Sequence, residues 1–220
     1  MTKKGLNSIR YRYFIICMVL TKDSKRLKRV YDRFVTSNLM ELKRDDKYNS
    51  MFYKSGRFKE LKGAYMSNHM KKKFINYFCQ KELLNVFYIC VSNENIERYF
   101  YSNTARAFNY LIRLSIEFNT NNGNIDKNLN YLYIDERNVR TDTIATLEEY
   151  LNIELVVGKH IQKPFFVKYC QSDVKDLIQV ADVFSNIYYS YIVRGNTFDD
   201  DIKFMREQKY IKNEFYFPFY

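Results

Sequence analysis

The sequence predicts an α/β domain, a central mixed sheet flanked by helices, and three observations carry that prediction. Short apolar runs of β-prone residues alternate with longer amphipathic patterns of helical period. No linker rich in Pro, Gly or Ser interrupts the 220 residues, which contain 2 Pro and 6 Gly. With 46% hydrophobic residues, the chain has enough apolar material for one sizeable core. We therefore expect a single domain over residues 1–195 and an aromatic C-terminal extension over 196–220 packed on it.

In chain order, Arg12 to Leu20 reads as a strand. Lys25 to Leu42 follows as a basic helix with Leu27, Val30, Tyr31, Phe34 and Val35 on one stripe. Arg44 to Arg57 is polar and reads as a mobile loop, and a helix over Ser67 to Leu84 turns Met70, Phe74 and Phe78 inward. Asn85 to Val91 is a continuous apolar run, the mark of a strand buried on both faces. Thr104 to Phe118 is helical, and Asn130 to Glu136 is a strand beyond the turn-rich Asn119-Thr-Asn-Asn-Gly-Asn124. Thr146-Leu-Glu-Glu149 has capping-box spacing for a further helix, Pro164 to Tyr169 is a strand, and Asp173 to Val193 is the last long helix. An acidic turn at Asp199-Asp-Asp201 precedes the aromatic tail Phe215-Tyr-Phe-Pro-Phe-Tyr220. The central sheet is expected to contain Tyr13–Leu20, Val86–Val91, Leu132–Asp135 and Phe165–Tyr169.

Charge and composition narrow the function classes. Lys and Arg outnumber Asp and Glu by 36 to 25, a net +11 that favours a polyanion such as nucleic acid. The abundance of Asn, Lys, Ile, Tyr and Phe, with Trp absent, is also what AT-rich coding DNA produces, and this bias raises the basicity without any partner. Lys25-Arg-Leu-Lys-Arg29 and Lys71-Lys-Lys73 read as solvated helix faces. Cys17, Cys79, Cys90 and Cys170 are widely spaced in apolar surroundings, so free buried thiols in a reducing compartment are expected rather than disulfides. His69 and His160 are the only imidazoles, which disfavours a zinc site or a Ser-His-acid triad. The longest apolar run, Tyr13 to Leu20, is too short for a membrane-spanning helix, and a soluble, cytoplasmic protein is expected.

Two acids interrupt this apolar plan. Asp135 ends the run Tyr131-Leu-Tyr-Ile-Asp135, and Asp182 lies within Leu177-Ile-Gln-Val-Ala-Asp-Val-Phe184. A carboxylate withdrawn from water needs a cation or a hydrogen-bond network, so such positions are metal ligands, catalytic groups or paired structural ions. Gln179, Asp182 and Asn186 form a polar stripe on the last helix that could face Asp135 at the C-terminal end of its strand. Converging carboxylates suit Mg²⁺ or Mn²⁺, with phosphodiester hydrolysis as the chemistry. The alternative is structural: Asp135 pairs with Arg137 or Arg140, and Asp182 hydrogen-bonds locally.

The order Phe58-Lys-Glu-Leu-Lys-Gly63, Ala107-Phe-Asn-Tyr-Leu111, Tyr133-Ile-Asp-Glu-Arg137, Ser172 and Ile178-Gln-Val-Ala-Asp182 resembles the domain-of-unknown-function 3800 family of bacterial and phage proteins. The resemblance spans about residues 10 to 195 and implies a ribonuclease-H-like fold in which acidic residues hold two metal ions for phosphodiester cleavage. By motif it implies Asp135, Asp182 and Glu60 as catalytic metal ligands, and Lys62 as a group that holds a phosphate or a neighbouring carboxylate. Gln179 and Asn186 are weaker candidates for contact with nucleic acid.

Members of that family usually begin with a strand ending in Asp-Glu-Ser-Gly, and Met1-Thr-Lys-Lys-Gly5 carries no such motif. In the implied sheet this strand separates Tyr13–Leu20 from Leu132–Asp135, so the resemblance leads us to expect direct pairing of those two, a strand donated by a second copy, or a weakened edge. Two function classes follow. One is a metal-dependent nuclease or phosphodiesterase of low activity; the other is a non-catalytic ribonuclease-H-like module of a phage or mobile element that engages nucleic acid, a protein partner or a second copy of itself.

Overall fold

The computed structural model describes residues 12–96, 104–136, 144–158 and 160–218. It is a mixed α/β protein with six α-helices and two small sheets among those residues. The first sheet has the order β1-β2-β5, where β1 is Tyr13–Leu20, β2 Asn85–Ser92 and β5 Ile211–Phe217. β1 runs antiparallel to β2, from Tyr13 opposite Ser92 to Leu20 opposite Asn85. β5 runs parallel to β2, from Val86 opposite Ile211 to Val91 opposite Phe217.

β2 reads as an unbroken apolar run because the sheet divides two cores. On one side Val86, Tyr88 and Cys90 pack with α1 (Ser24–Asp45), α2 (Asn68–Cys79), α5 (Asp176–Arg194) and α6 (Asp199–Glu207). On the other, Ile89 and Val91 pack with α3 (Thr104–Asn121) and α4 (Ile144–Leu151), the latter continued by a π-helical turn over Asn152–Val157.

The expected single central sheet is instead split. β3 (Tyr131–Asp135) and β4 (Phe166–Cys170) form a separate parallel pair, from Tyr131 opposite Phe166 to Asp135 opposite Cys170. Both sheets feed the second core, since Ile16, Ile89, Ile134 and Phe165 belong to one cluster. Among the described residues no ladder joins β1 to β3, and each is paired along one edge only. On β1 the Ser185 hydroxyl of α5 lies 3.5 Å from the Ile15 carbonyl oxygen, to which it donates. Direct pairing of the two strands therefore does not occur. Met1 to Gly5, where the family's first motif was sought, lie outside the described residues.

Three local expectations also change. The polar segment after α1 is organised rather than loose, because Asp46, only 8% exposed, accepts the backbone N–H groups of Ser50, Met51 and Phe52 at 2.8, 2.8 and 2.9 Å. Those bonds hold Met51 and Phe52 in the core. Thr146 sits inside α4 rather than at its cap. Asp199-Asp-Asp201 is the first turn of α6 rather than a loop, where three carboxylates complement the positive end of the helix. The tail that follows is a strand of the first sheet, with Phe215 buried and Glu214 accepting both Arg206 Nε and Nη2 at 2.7 Å. No helix among the described residues is long and apolar enough to cross a membrane.

Candidate functional site

The polar stripe anticipated on the last helix exists, and it binds a segment of this same chain. Gln179 is 1% exposed. Its Oε1 accepts the Tyr31 hydroxyl and the Leu61 backbone N–H, the latter at 2.6 Å, while its Nε2 donates to the Ser172 carbonyl at 2.6 Å. One turn on, Asp182 Oδ2 accepts the Gly63 N–H at 2.9 Å. Residues 60–63 thus lie along α5 as an extended strap fastened through their backbone. The approach is so close that a Cβ on Gly63 would sit 2.7 Å from Asn186 Cβ and 3.0 Å from Val183 Cα, which only glycine avoids.

Glu60 enters the same region with 2% exposure. Ser172 Oγ donates to its Oε2 at 2.5 Å, Lys62 Nζ stands 3.1 Å from that oxygen, and Lys59 Nζ is 3.8 Å from Oε1. Lys62 therefore holds a neighbouring carboxylate, one of the two roles anticipated for it. Among the predicted site residues, the structure joins Glu60 and Lys62 through Ser172 to Gln179, and joins Asp182 to the same strap through Gly63.

Asp182 and Asn186 also line a cleft of about 230 Å³ beside β1, with Tyr13, Phe14, Ile15, Ser185 and Tyr189. Asn186 Oδ1 is buried and has no hydrogen-bond partner among the described residues. The oxygen of Asp182 is of the donor type that Mg²⁺ or Mn²⁺ takes rather than zinc, whereas Asn186 Oδ1 is sealed from solvent. Asp135 ends β3, half-buried, and α5 also touches that strand. Arg137 and Arg140, its anticipated structural partners, lie outside the described residues. No cluster of three or more acidic, His or Cys side chains able to hold a metal occurs among the described residues.

A residue that sequence reasoning misplaced is Lys71. Within Lys71-Lys-Lys73 the second and third side chains are exposed, whereas Lys71 is 4% exposed. Its spacing from Phe74, Ile75 and Phe78 on one stripe of α2 carried that signal. Burial lowers its pKa from 10.5 to about 8, Arg194 adds to the shift, and Asp182 opposes it. Between pH 8 and 10.5 the unfolded chain binds the proton that the folded chain has released, so this group's contribution to stability rises with pH. Lys71→Met is accordingly expected to be more stable than the parent at neutral pH by roughly 2–3 kcal/mol, a gap that closes as pH approaches 10.5. Urea unfolding of both proteins across that range checks it, and a pH-independent gap would refute the assignment.

The cysteines are free, and burial pushes the Cys79 and Cys90 thiols up to about 12, so neither is a nucleophile. Compared with protein-family models, with curated proteins and with solved structures, the chain matches none.

Proposed function

We propose that the chain is a weak metal-dependent phosphodiesterase of ribonuclease-H-like design directed at nucleic acid, with Asp135 and Asp182 as its metal ligands. The observation that carries the reading is Asp182, a carboxylate within an apolar helix that lines the cleft beside β1, in a strongly basic protein. The Gly63 N–H orients the Asp182 carboxylate, and Lys71 offsets part of its charge from within the core. Mg²⁺ or Mn²⁺, when bound, supplies Lewis acidity and positive charge to the phosphodiester. Low activity follows from Glu60, whose carboxylate is taken up by Ser172 and Lys62.

The test is Mn²⁺-dependent cleavage of single-stranded RNA, single-stranded DNA and hybrid duplex by the full chain, alongside Mn²⁺ binding followed by electron paramagnetic resonance. Asp135→Asn and Asp182→Asn are each expected to lower cleavage by about 100-fold, equivalent to about 2.7 kcal/mol of transition-state stabilisation, and to weaken Mn²⁺ binding. Unchanged cleavage in both variants refutes the site. The engagement of Glu60 favours a second reading, a ribonuclease-H-like module that binds without cutting. It is supported if the folded chain binds nucleic acid or a partner but shows no Mn²⁺-dependent cleavage.

A further inference from the structure

The second sheet presents one face to the core and a quite different one to solvent. Leu132, Ile134, Val167 and Tyr169 point into the second core. By alternation, the opposite face carries Tyr131 and Tyr133 from β3 with Phe166 and Lys168 from β4, and these four are exposed. Tyr131 is 59% exposed, Tyr133 44% and Phe166 50%, for side chains that normally cover a core. The Tyr131 and Phe166 rings are stacked with centroids 5.3 Å apart and planes inclined by 25°. Lys175 Nζ sits 3.8 Å from the centre of the Tyr133 ring.

Tyr133 and Lys168 are cross-strand partners, as are Asp135 and Cys170 one step further along the same face. Phe166 is preceded by the exposed Lys163, which also acts on Asp126 together with Lys22. The face is therefore a row of exposed rings, Tyr131 stacked on Phe166 and Tyr133 beneath Lys175, with Lys168 beside them, leading toward the carboxylate at the end of β3. Flat rings offer stacking to bases of any sequence, and the ammonium groups suit a phosphate backbone. A hydrophobic peptide would gain nothing from the lysines, so charge complementarity selects a polyanion that has planar bases.

We propose that the outer face of β3 and β4 binds single-stranded nucleic acid, with Tyr131 and Phe166 as the stacking platform and Lys168 and Lys175 as backbone contacts. This rests on the nucleic-acid part of the function proposed above and names its substrate class, single strands rather than duplex. A duplex hides its base faces, and the open rings have nothing to stack on there.

The experiment is fluorescence anisotropy of labelled oligothymidylate and oligouridylate with the full chain in EDTA, so that no metal-dependent step contributes. Tyr131→Ala and Phe166→Ala are each expected to weaken binding about ten-fold, with Phe166→Leu nearly as weak, because the loss is of stacking rather than of apolar volume. Lys168→Ala should weaken binding and reduce the salt dependence by about one counterion. Because the rings are exposed, circular dichroism and melting temperature should be unchanged. Heparin, a polyanion without bases, separates charge from stacking: its affinity should be unmoved by Tyr131→Ala or Phe166→Ala. The proposal is overturned by wild-type-like oligonucleotide affinity in the ring variants, by an equal loss of heparin binding, or by preference for duplex. It is also overturned if those variants alter only sedimentation, which would make the face a contact between copies. Cleavage by a parent chain that shows no single-strand binding would overturn the platform and leave the metal site standing. Binding retained with no cleavage would do the reverse.

Discussion

Gln179→Leu is expected to destabilise the protein by about 3–5 kcal/mol in urea unfolding, although leucine is the more apolar residue. The side chain serves three groups from three parts of the chain: the Tyr31 hydroxyl of α1, the Leu61 N–H of the strap and the Ser172 carbonyl before α5. Tyr31 is 2% exposed, Leu61 1% and Ser172 3%, so water has little access to the groups that leucine would strand. Each unsatisfied buried polar group costs about 1–3 kcal/mol, which outweighs the gain from burying a methyl-rich side chain. A loss below about 1 kcal/mol would mean that the strap relaxes outward and finds solvent, and that α5 does not depend on it.

A loss of similar size, about 3–5 kcal/mol, is expected for Phe74→Ala, and by a different mechanism. Phe74 is fully buried, stacked on Phe78 at 4.2 Å and edge-on to Phe34 and Phe184, each at 5.2 Å. It ties α2 to both α1 and α5, so the cavity left by alanine has rigid walls contributed by three helices. Thermal unfolding by calorimetry should show a fall of roughly 10 °C. Phe74→Leu should recover more than half of the loss by refilling the space. Equal losses for alanine and leucine would indicate that ring geometry, not volume, sets the stability.

Periodicity made most elements legible in the sequence. The stripe of Leu27, Val30, Tyr31, Phe34 and Val35 is the buried face of α1, and the unbroken run of β2 does lie between two cores. What periodicity does not carry is pairing. Four strand patterns suggested one sheet, but the pattern of β3 shows only that its two faces differ, and among the described residues it pairs with β4 alone. Side-chain chemistry was equally ambiguous. Asp46 reads as one more polar loop residue, and the three N–H groups that it collects become visible only when the backbone curls around it.

Within the candidate site, Asp182 was conspicuous because a carboxylate interrupted an apolar helix. The Gly63 N–H that it accepts comes from a segment more than a hundred residues earlier, a partner that spacing cannot reveal. Glu60 and Lys62 were noted for their motif, whereas the Ser172 hydroxyl that completes their group depends on the turn before α5. The aromatic platform could have been found. Tyr131 and Tyr133 alternate with Leu132 and Ile134, so one face of β3 had to be tyrosine-lined. Only the structure shows that Tyr131 and Tyr133 stay exposed, with no helix among the described residues covering them.

The parallel pairing of β2 with β5 has a consequence for synthesis. One edge of the central strand, at Val86 to Val91, stays without its ladder until Ile211 to Phe217 have been made. α1, α2 and α5 can gather beforehand around Phe34, Phe74 and Phe184, because all three emerge earlier. The ladder between these two strands spans a long stretch of chain, so its closure carries a larger entropic cost than the local contacts of the helices. During translation β2 is thus an apolar strand with an open edge, and a ribosome stalled before Ile211 holds the chain in its most adhesive form.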